Sequence, residues 1–272
     1  MTLHIARLSS RALIRVAGPD ARSFLQGLLT QDVETLAPDQ VRFAALLSPP
    51  GRVLFDLFVW DEDGAVVLDV AADRREALMA RLAMYKMRAQ VEIAADDRGV
   101  WASWPGVAEG FVVDPRLADL GGRGLHEEAA ANAVEADYHA HRLAVGVPDP
   151  DADVGSDKAY PIEANFDLLN GIDFHKGCFV GQETTSRMKR RGAIRSRMLP
   201  LAFDGPPPAT GSEVLNGELR AGEVKTGRDG GAIALVRLDR LEGALSVDGR
   251  EVRLRRPDWM VDERDAILHA PI

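Results

Sequence analysis

A single cysteine in 272 residues is the first thing this sequence withholds. One thiol closes no intrachain disulfide and cannot supply the several thiolates of a zinc or cluster site built by one chain. Aromatic residues are also scarce, at 6%, which leaves little for the stacking platforms that hold single-stranded nucleic acid. Cations are in deficit: 33 Lys and Arg face 42 Asp and Glu, a formal net charge of -9, so a phosphate backbone is repelled at long range. No apolar run approaches the roughly 20 residues of a membrane span. The amino terminus, Met-Thr-Leu-His-Ile-Ala-Arg, lacks the basic region and apolar core of a signal peptide. The expectation is a soluble protein of the reducing cytoplasm, with no membrane partner.

What is present suits a folded chain: 46% hydrophobic residues, with 25 Gly and 15 Pro, over a length that fits two compact units. The run from Ala12 to Ala17 reads as a strand. Gly18-Pro-Asp then opens a helix striped by Phe24, Leu25, Leu28 and Leu29 and ending near Thr30. Turn signals at Ser48-Pro-Pro-Gly51 and Asp61-Glu-Asp-Gly64 divide residues 41–70 into three β-rich runs, an antiparallel meander with Phe43, Leu54, Leu57, Val59, Val67 and Leu68 as core. A second helix is predicted from Asp73 to Lys86 and a third from Glu135 to Val145, with weak, punctuated signals between them. Asp204-Gly-Pro-Pro-Pro reads as a boundary, and Asn216-Gly217 and Asp248-Gly249 as hairpin turns in a small barrel or sandwich. Helices among short antiparallel runs indicate α+β and not doubly wound α/β.

The densest chemistry lies between Tyr160 and Arg197. Cys178 follows Gly177, with Lys176 two residues and His175 three residues before it, and their positive charge favours a thiolate, although a buried inert cysteine is the commoner case. Gly177 and Gly181 bracket Cys178, Phe179 and Val180, suggesting a strand entered from a tight turn with its backbone against a ligand. Gln182 and Glu183 come next and face different ways on a strand, so one of them addresses a site there, or either caps a following helix. Glu163, between Ile162 and Ala164, is a partly buried carboxylate able to accept a fork of two parallel N–H groups, as on the edge of a 2-amino-4-oxo-pteridine. Arg187, Lys189, Arg190, Arg191, Arg195 and Arg197 reverse the local charge, and an anion is a fair occupant: a glutamate tail, phosphate or RNA.

The octapeptide Lys176-Gly-Cys-Phe-Val-Gly-Gln-Glu183 resembles the signature of the YgfZ family, bacterial relatives of a mitochondrial iron–sulfur assembly factor. Both are similar to the glycine-cleavage T-protein, an aminomethyltransferase that uses tetrahydrofolate. Phe24 to Val33, Pro161 to Glu183, Ala221-Gly-Glu-Val and Ile233 to Arg237 carry the resemblance along most of the chain. It implies a three-part cloverleaf around a central folate channel, with a ferredoxin-like α+β core over residues 1–195 and an antiparallel β-barrel over 196–272. By position it makes Glu163 the carboxylate that grips the pterin edge. It groups Asp56, Gln182, Glu183, Arg195 and Arg197 as further folate-binding candidates. Lys176, Gly177, Cys178, Phe179, Gly181, Gln182 and Glu183 form the signature site, with Cys178 and Lys176 as its candidate catalytic groups.

One departure bears on activity. Where the T-protein pattern has two adjacent acids, this sequence has Phe55-Asp56, which removes a group for proton transfer beside the folate. The resemblance therefore favours a tetrahydrofolate-binding accessory factor for iron–sulfur cluster assembly or repair. It would support cluster enzymes that include tRNA-modifying radical enzymes, using Cys178 transiently and with no intrachain metal cluster. The alternatives are a folate-dependent one-carbon transferase and an RNA-binding module on Arg187 to Arg197, direct tRNA binding being disfavoured by charge. A cysteine hydrolase using His139, His141 or His175 lacks a nucleophile motif.

Overall fold

The computed structural model describes residues 2–38, 40–62, 64–191 and 194–260; residues 261–272 of the expected barrel unit lie outside them. β1 (His4–Arg7) and β2 (Arg11–Ala17) precede a short helix α1 (Ala21–Gln26). The predicted meander forms as β3 (Val41–Leu47), β4 (Val53–Glu62) and β5 (Ala65–Ala71), and α2 (Arg75–Lys86) follows. With β6 (Glu92–Asp96) these strands make a five-stranded antiparallel sheet ordered β3-β4-β5-β2-β6. One face carries Ile14, Val16, Leu57, Val59 and Leu68 against α1 and α2. The other carries Leu13, Phe43, Phe58, Trp60 and Val67 into the centre of the molecule. Burial on both faces explains why β3 to β5 read as nearly unbroken apolar runs; each fully buried Leu or Phe contributes about 1.5–3 kcal/mol.

The weakly signalled stretch after Val91 holds a second sheet. β7 (Gly99–Trp104), β8 (Val112–Val113) and β9 (Gly122–His126) combine with β1 in the order β1-β7-β9-β8, and α3 (Glu135–Val145) packs beside them. Four of the five residues of β9 are Gly, Arg or His, so no hydrophobic alternation announced it. Gly122 and Gly124 are there because a Cβ would meet Ser103, Val107, Phe111 and His126 at 2.6–3.2 Å.

After the coil through residues 160–181 comes α4 (Gln182–Arg191). The chain then enters a closed six-stranded barrel of β10 (Ser196–Ala202), β11 (Glu213–Asn216), β12 (Leu219–Arg228), β13 (Gly231–Arg237), β14 (Leu245–Val247) and β15 (Arg250–Leu254), ordered β10-β13-β12-β11-β14-β15. Both predicted hairpin turns are in place, at Asn216-Gly217 and Asp248-Gly249. The Asp204-Gly-Pro-Pro-Pro stretch is not a boundary but a loop inside the barrel, joining β10 to β11. Its prolines remove the amide donors that would continue a strand pairing. The first helix also stops short of Thr30: after Gly27 the chain turns so that the Thr30 amide donates to Ala45 of β3. No helix among the described residues is long and apolar enough to cross a membrane.

Candidate functional site

The coil before the signature is fastened to the central core by one aromatic and one cation. Phe166, fully buried, stacks on Phe43 with ring centroids 4.5 Å apart. Arg197 of β10 is also fully buried: its guanidinium donates to Ile162 O at 3.0 Å, to Asn165 Oδ1 at 3.1 Å and to both carboxylate oxygens of Asp167 at 3.0 Å. Arg197 was a folate-binding candidate, and the structure gives it this tie between coil and barrel. Arg195, two residues earlier, points to solvent. Glu163 sits in the same coil, half-buried between the fully buried Ile162 and Ala164, and its Oε2 accepts the Tyr160 amide at 2.9 Å. Burial raises its pKa above the usual glutamate range, against the Tyr160 hydrogen bond and the charge of Arg52.

Lys176 anchors the start of the octapeptide. Its Nζ donates to the carbonyls of Gln26 at 2.8 Å, Leu29 at 2.6 Å and Gln31 at 2.8 Å, closing the C-terminal end of α1. Gln26 is the last residue of that helix, whose final carbonyls have no partner within it, and Leu29 and Gln31 lie in the turn that follows. Burial pushes the ammonium pKa down to about 8, opposed by Asp32, Asp173 and Glu34. All three donors are engaged, so the structure holds Lys176 as a clamp, with none left for a reacting atom or for Cys178.

Gly181 anchors the far end. It holds φ +79°, and a Cβ would lie 2.8 Å from Ser48 O, 2.9 Å from Gly51 Cα and 3.0 Å from Leu47. Gly51, at φ +91°, presses back on Gly181 O and Thr184. Two glycines thus let the Ser48–Gly51 turn and the signature meet backbone to backbone. Between the anchors the chain forms no strand, contrary to the expectation from the paired glycines, because none of residues 177–181 has a ladder partner. Phe179 turns inward to the central core and Cys178 is exposed. Gly177 has no positive φ, and a Cβ on it would meet nothing within 4 Å.

Asp56 lies elsewhere, on the central face of β4. It is 4% exposed and pairs with Arg11 at 2.8 Å; Arg11 also binds Asp69 at 2.6 Å, and Arg123 binds Asp69 at 2.5 Å. Arg116 continues the network to Asp114 at 2.8 Å and the Tyr138 hydroxyl at 2.8 Å. Burial works against these charges, yet Asp56 and Asp69 raise the Arg11 pKa, and Arg116 with Arg123 lowers that of Asp114. The cavity lined by Arg11, Asp56, Phe58, Arg116, Arg123 and Tyr138 measures about 20 Å³. That is room for one water, whereas small-molecule sites run to about 300–1,000 Å³. Asp56 and Glu163, both expected at one folate site, share no hydrogen bond or ion pair among the described residues.

A larger space adjoins the signature. A groove of about 650 Å³ is lined by Phe174, His175, Gln182, Glu183, Ser186, Lys189 and Arg190. Gln182 and Glu183 open α4, the capping alternative, and the Gln182 amide donates to Phe179 O at 3.2 Å. Sequence reading took the basic run but missed Phe174 and Ser186; the helical spacing of Gln182, Ser186 and Lys189 was the available signal. The side chain of Arg191 lies outside the described residues. His139 and His141 belong to α3, where His139 faces Glu135 at 3.7 Å and His141 meets Asp119 O at 2.8 Å. Among the described residues no group of three or more His, Cys, Asp and Glu is placed to hold a metal ion.

Two sheets around a shared core, followed by a barrel, define a glycine-cleavage T-protein-like fold. The chain superposes on the crystal structure of the glycine cleavage system aminomethyltransferase T from Bartonella henselae with a TM-score of 0.74, covering 93% of this chain and 84% of that one at 18% identity. Residues 195–262 match the model of the CAF17 C-terminal beta-barrel domain. The mitochondrial iron–sulfur cluster assembly factor IBA57 of Homo sapiens is 32% identical, over 93% of this chain and 84% of its own. The Mus musculus factor of the same name is 32% identical with the same coverage. The chain belongs to the IBA57 family of iron–sulfur cluster assembly factors.

Proposed function

We propose that this protein serves the assembly or repair of iron–sulfur clusters by presenting Cys178 to a cluster-carrying partner. The observation that carries the reading is the exposure of Cys178 on a loop held at both ends, by the Lys176 clamp and by the Gly181 to Gly51 contact. A thiol on the surface suits docking and delivery; chemistry on a folate would need it to face a channel. The thiolate would ligate a cluster shared with the partner, the cluster being cargo. Clients in this reading include radical enzymes that modify tRNA, in a reducing cytoplasm where such a thiol persists, and the chain would be a YgfZ-type bacterial member of the family. The test is transfer from a [2Fe–2S]-loaded carrier to an apo-enzyme, followed by circular dichroism in the visible range. Cys178→Ser is expected to fold normally and abolish the acceleration given by the wild type; wild-type acceleration by the variant would remove the proposal.

A reduced folate is the second ligand we propose, resting on Glu163. Its half-buried carboxylate has the chemistry to accept the paired N–H groups of a pterin edge. Titration with 5-formyltetrahydrofolate is expected to saturate and to weaken about tenfold or more in Glu163→Ala, the loss of one charged hydrogen-bonding group. A flat wild-type titration would end the folate reading and leave the Cys178 reading intact. One-carbon transfer is disfavoured by the pairing of Asp56 with Arg11, which occupies the acid such a reaction would use.

A further inference from the structure

The groove of about 650 Å³ beside the signature is not used by either reading above. It is built mainly from one face of α4: Gln182, Glu183, Ser186, Lys189 and Arg190 recur at helical spacing. From Gln182 to Arg190 that face runs about 12 Å at 1.5 Å per residue, the length of three or four residues of extended chain. Phe174 forms the facing apolar wall, with Lys189 Nζ 5.8 Å from its ring centroid. At the C-terminal end of the helix, Arg190 and its neighbour Arg187 are exposed, on a molecule whose net charge is -9. The loop 175–182 has both its ends on the groove, through His175 and Gln182, and Cys178 lies between them.

We propose that this groove docks an extended acidic segment of the protein partner, carboxylates towards Arg187 and Arg190 and an apolar or aromatic side chain on Phe174. The proposal rests on the reading of Cys178 as the partner-facing thiol, and adds how the partner is recognised. Charge complementarity selects the occupant: Arg187 and Arg190 lie exposed at one end of the groove on a molecule of net negative charge, so that end favours an acidic segment. A nucleic acid suits the groove less well. Glu183 would repel phosphate, and beside Phe174 and the imidazole of His175 the lining carries, among the described residues, no Trp or Tyr for the stacking platforms that strand binding uses. Gly177 fits the same picture. Its missing side chain relieves no contact within the chain, yet leaves the backbone beside Cys178 open to close approach.

The test uses the full-length protein and a fluorescein-labelled hexapeptide of one tryptophan among glutamates, with a glutamine counterpart, read by anisotropy at low salt. The acidic peptide is expected to bind about tenfold or more tightly than the glutamine peptide, and Arg187→Glu with Arg190→Glu to erase that preference. Both arginines are exposed, and unchanged thermal unfolding confirms that the variant folds. Phe174→Ala should weaken both peptides alike. Equal binding of the two peptides, or a preference that survives charge reversal, overturns the proposal. So does displacement of the acidic peptide by a single-stranded oligonucleotide at lower concentration, which would assign the face to nucleic acid. Cys178→Ser should bind the acidic peptide as the wild type does. Peptide binding with no Cys178 dependence of cluster transfer would refute the thiol reading alone; absent peptide binding with intact transfer would refute the groove alone.

Discussion

A carboxyl group among other carboxyls gives up its proton late. Burial, with Asp56, Asp149 and Asp73 close by, raises the pKa of Asp151 to about 6, against the partial relief of Arg74 at 3.5 Å. Above pH 6 the folded state carries a charge it disfavours, so stability falls as pH rises from about 4 to 6. Asp151→Asn is therefore expected to raise stability by about 1 kcal/mol at pH 8, after discounting for its partial exposure, and to change nothing at pH 3. Urea midpoints at the two pH values decide this. Burial disfavours the charge of Lys176 as well, but its ammonium satisfies three carbonyls that its loss would strand. Lys176→Met should cost about 2–3 kcal/mol, seen as a lower urea midpoint, and an unchanged midpoint would mean that α1 ends without the clamp.

At the scale of elements, two glycines of one octapeptide should behave differently. Gly181→Ala places a methyl group against the Ser48 to Gly51 backbone at a positive φ, and should cost about 2 kcal/mol or more. Gly177→Ala should leave thermal unfolding within about 0.5 kcal/mol of the wild type. At the end of α2, Met87 is 89% exposed and holds φ 41°, ψ -102° at a turn closed by the Ala89 amide and Lys86 O at 2.7 Å. That conformation suits glycine, so Met87→Gly should stabilise by about 0.5–1 kcal/mol.

The legible elements were those with local signals. The meander was marked by Pro and Gly turns between β-rich runs, and it and the helix expected from Glu135 to Val145 both formed where expected. The four-stranded sheet was not legible, because β9 lacks apolar alternation and its Gly122 and Gly124 make room for the side chains of Ser103, Val107, Phe111 and His126. The candidate site divided the same way. Residue types marked Cys178, Glu163 and the basic run, but which cations are buried depends on partners distant in the chain. Arg197 and Arg195 look alike in sequence; Asp167 and two carbonyl or amide oxygens enclose one and leave the other in solvent.

Taken whole, the molecule is joined across its parts by buried charge. Arg197 ties the barrel to the coil before the signature, and Asp153 accepts from the Thr226 amide of β12 at 2.9 Å while facing Arg142 of α3 at 3.5 Å. Removing one partner leaves the other ionised in the interior, so Arg197→Met is expected to cost about 3–5 kcal/mol. Differential scanning calorimetry should show the drop, and a loss under 1 kcal/mol would contradict the structural role assigned to Arg197. The single exposed thiol has its own consequence for cargo. As the one cysteine of the sequence, Cys178 supplies a single thiolate, so in the proposed role a cluster it holds would draw its other thiolate ligands from another molecule. In the proposed role such a handhold would be kinetically labile: the cluster would depart once the recipient offered its own full set of ligands.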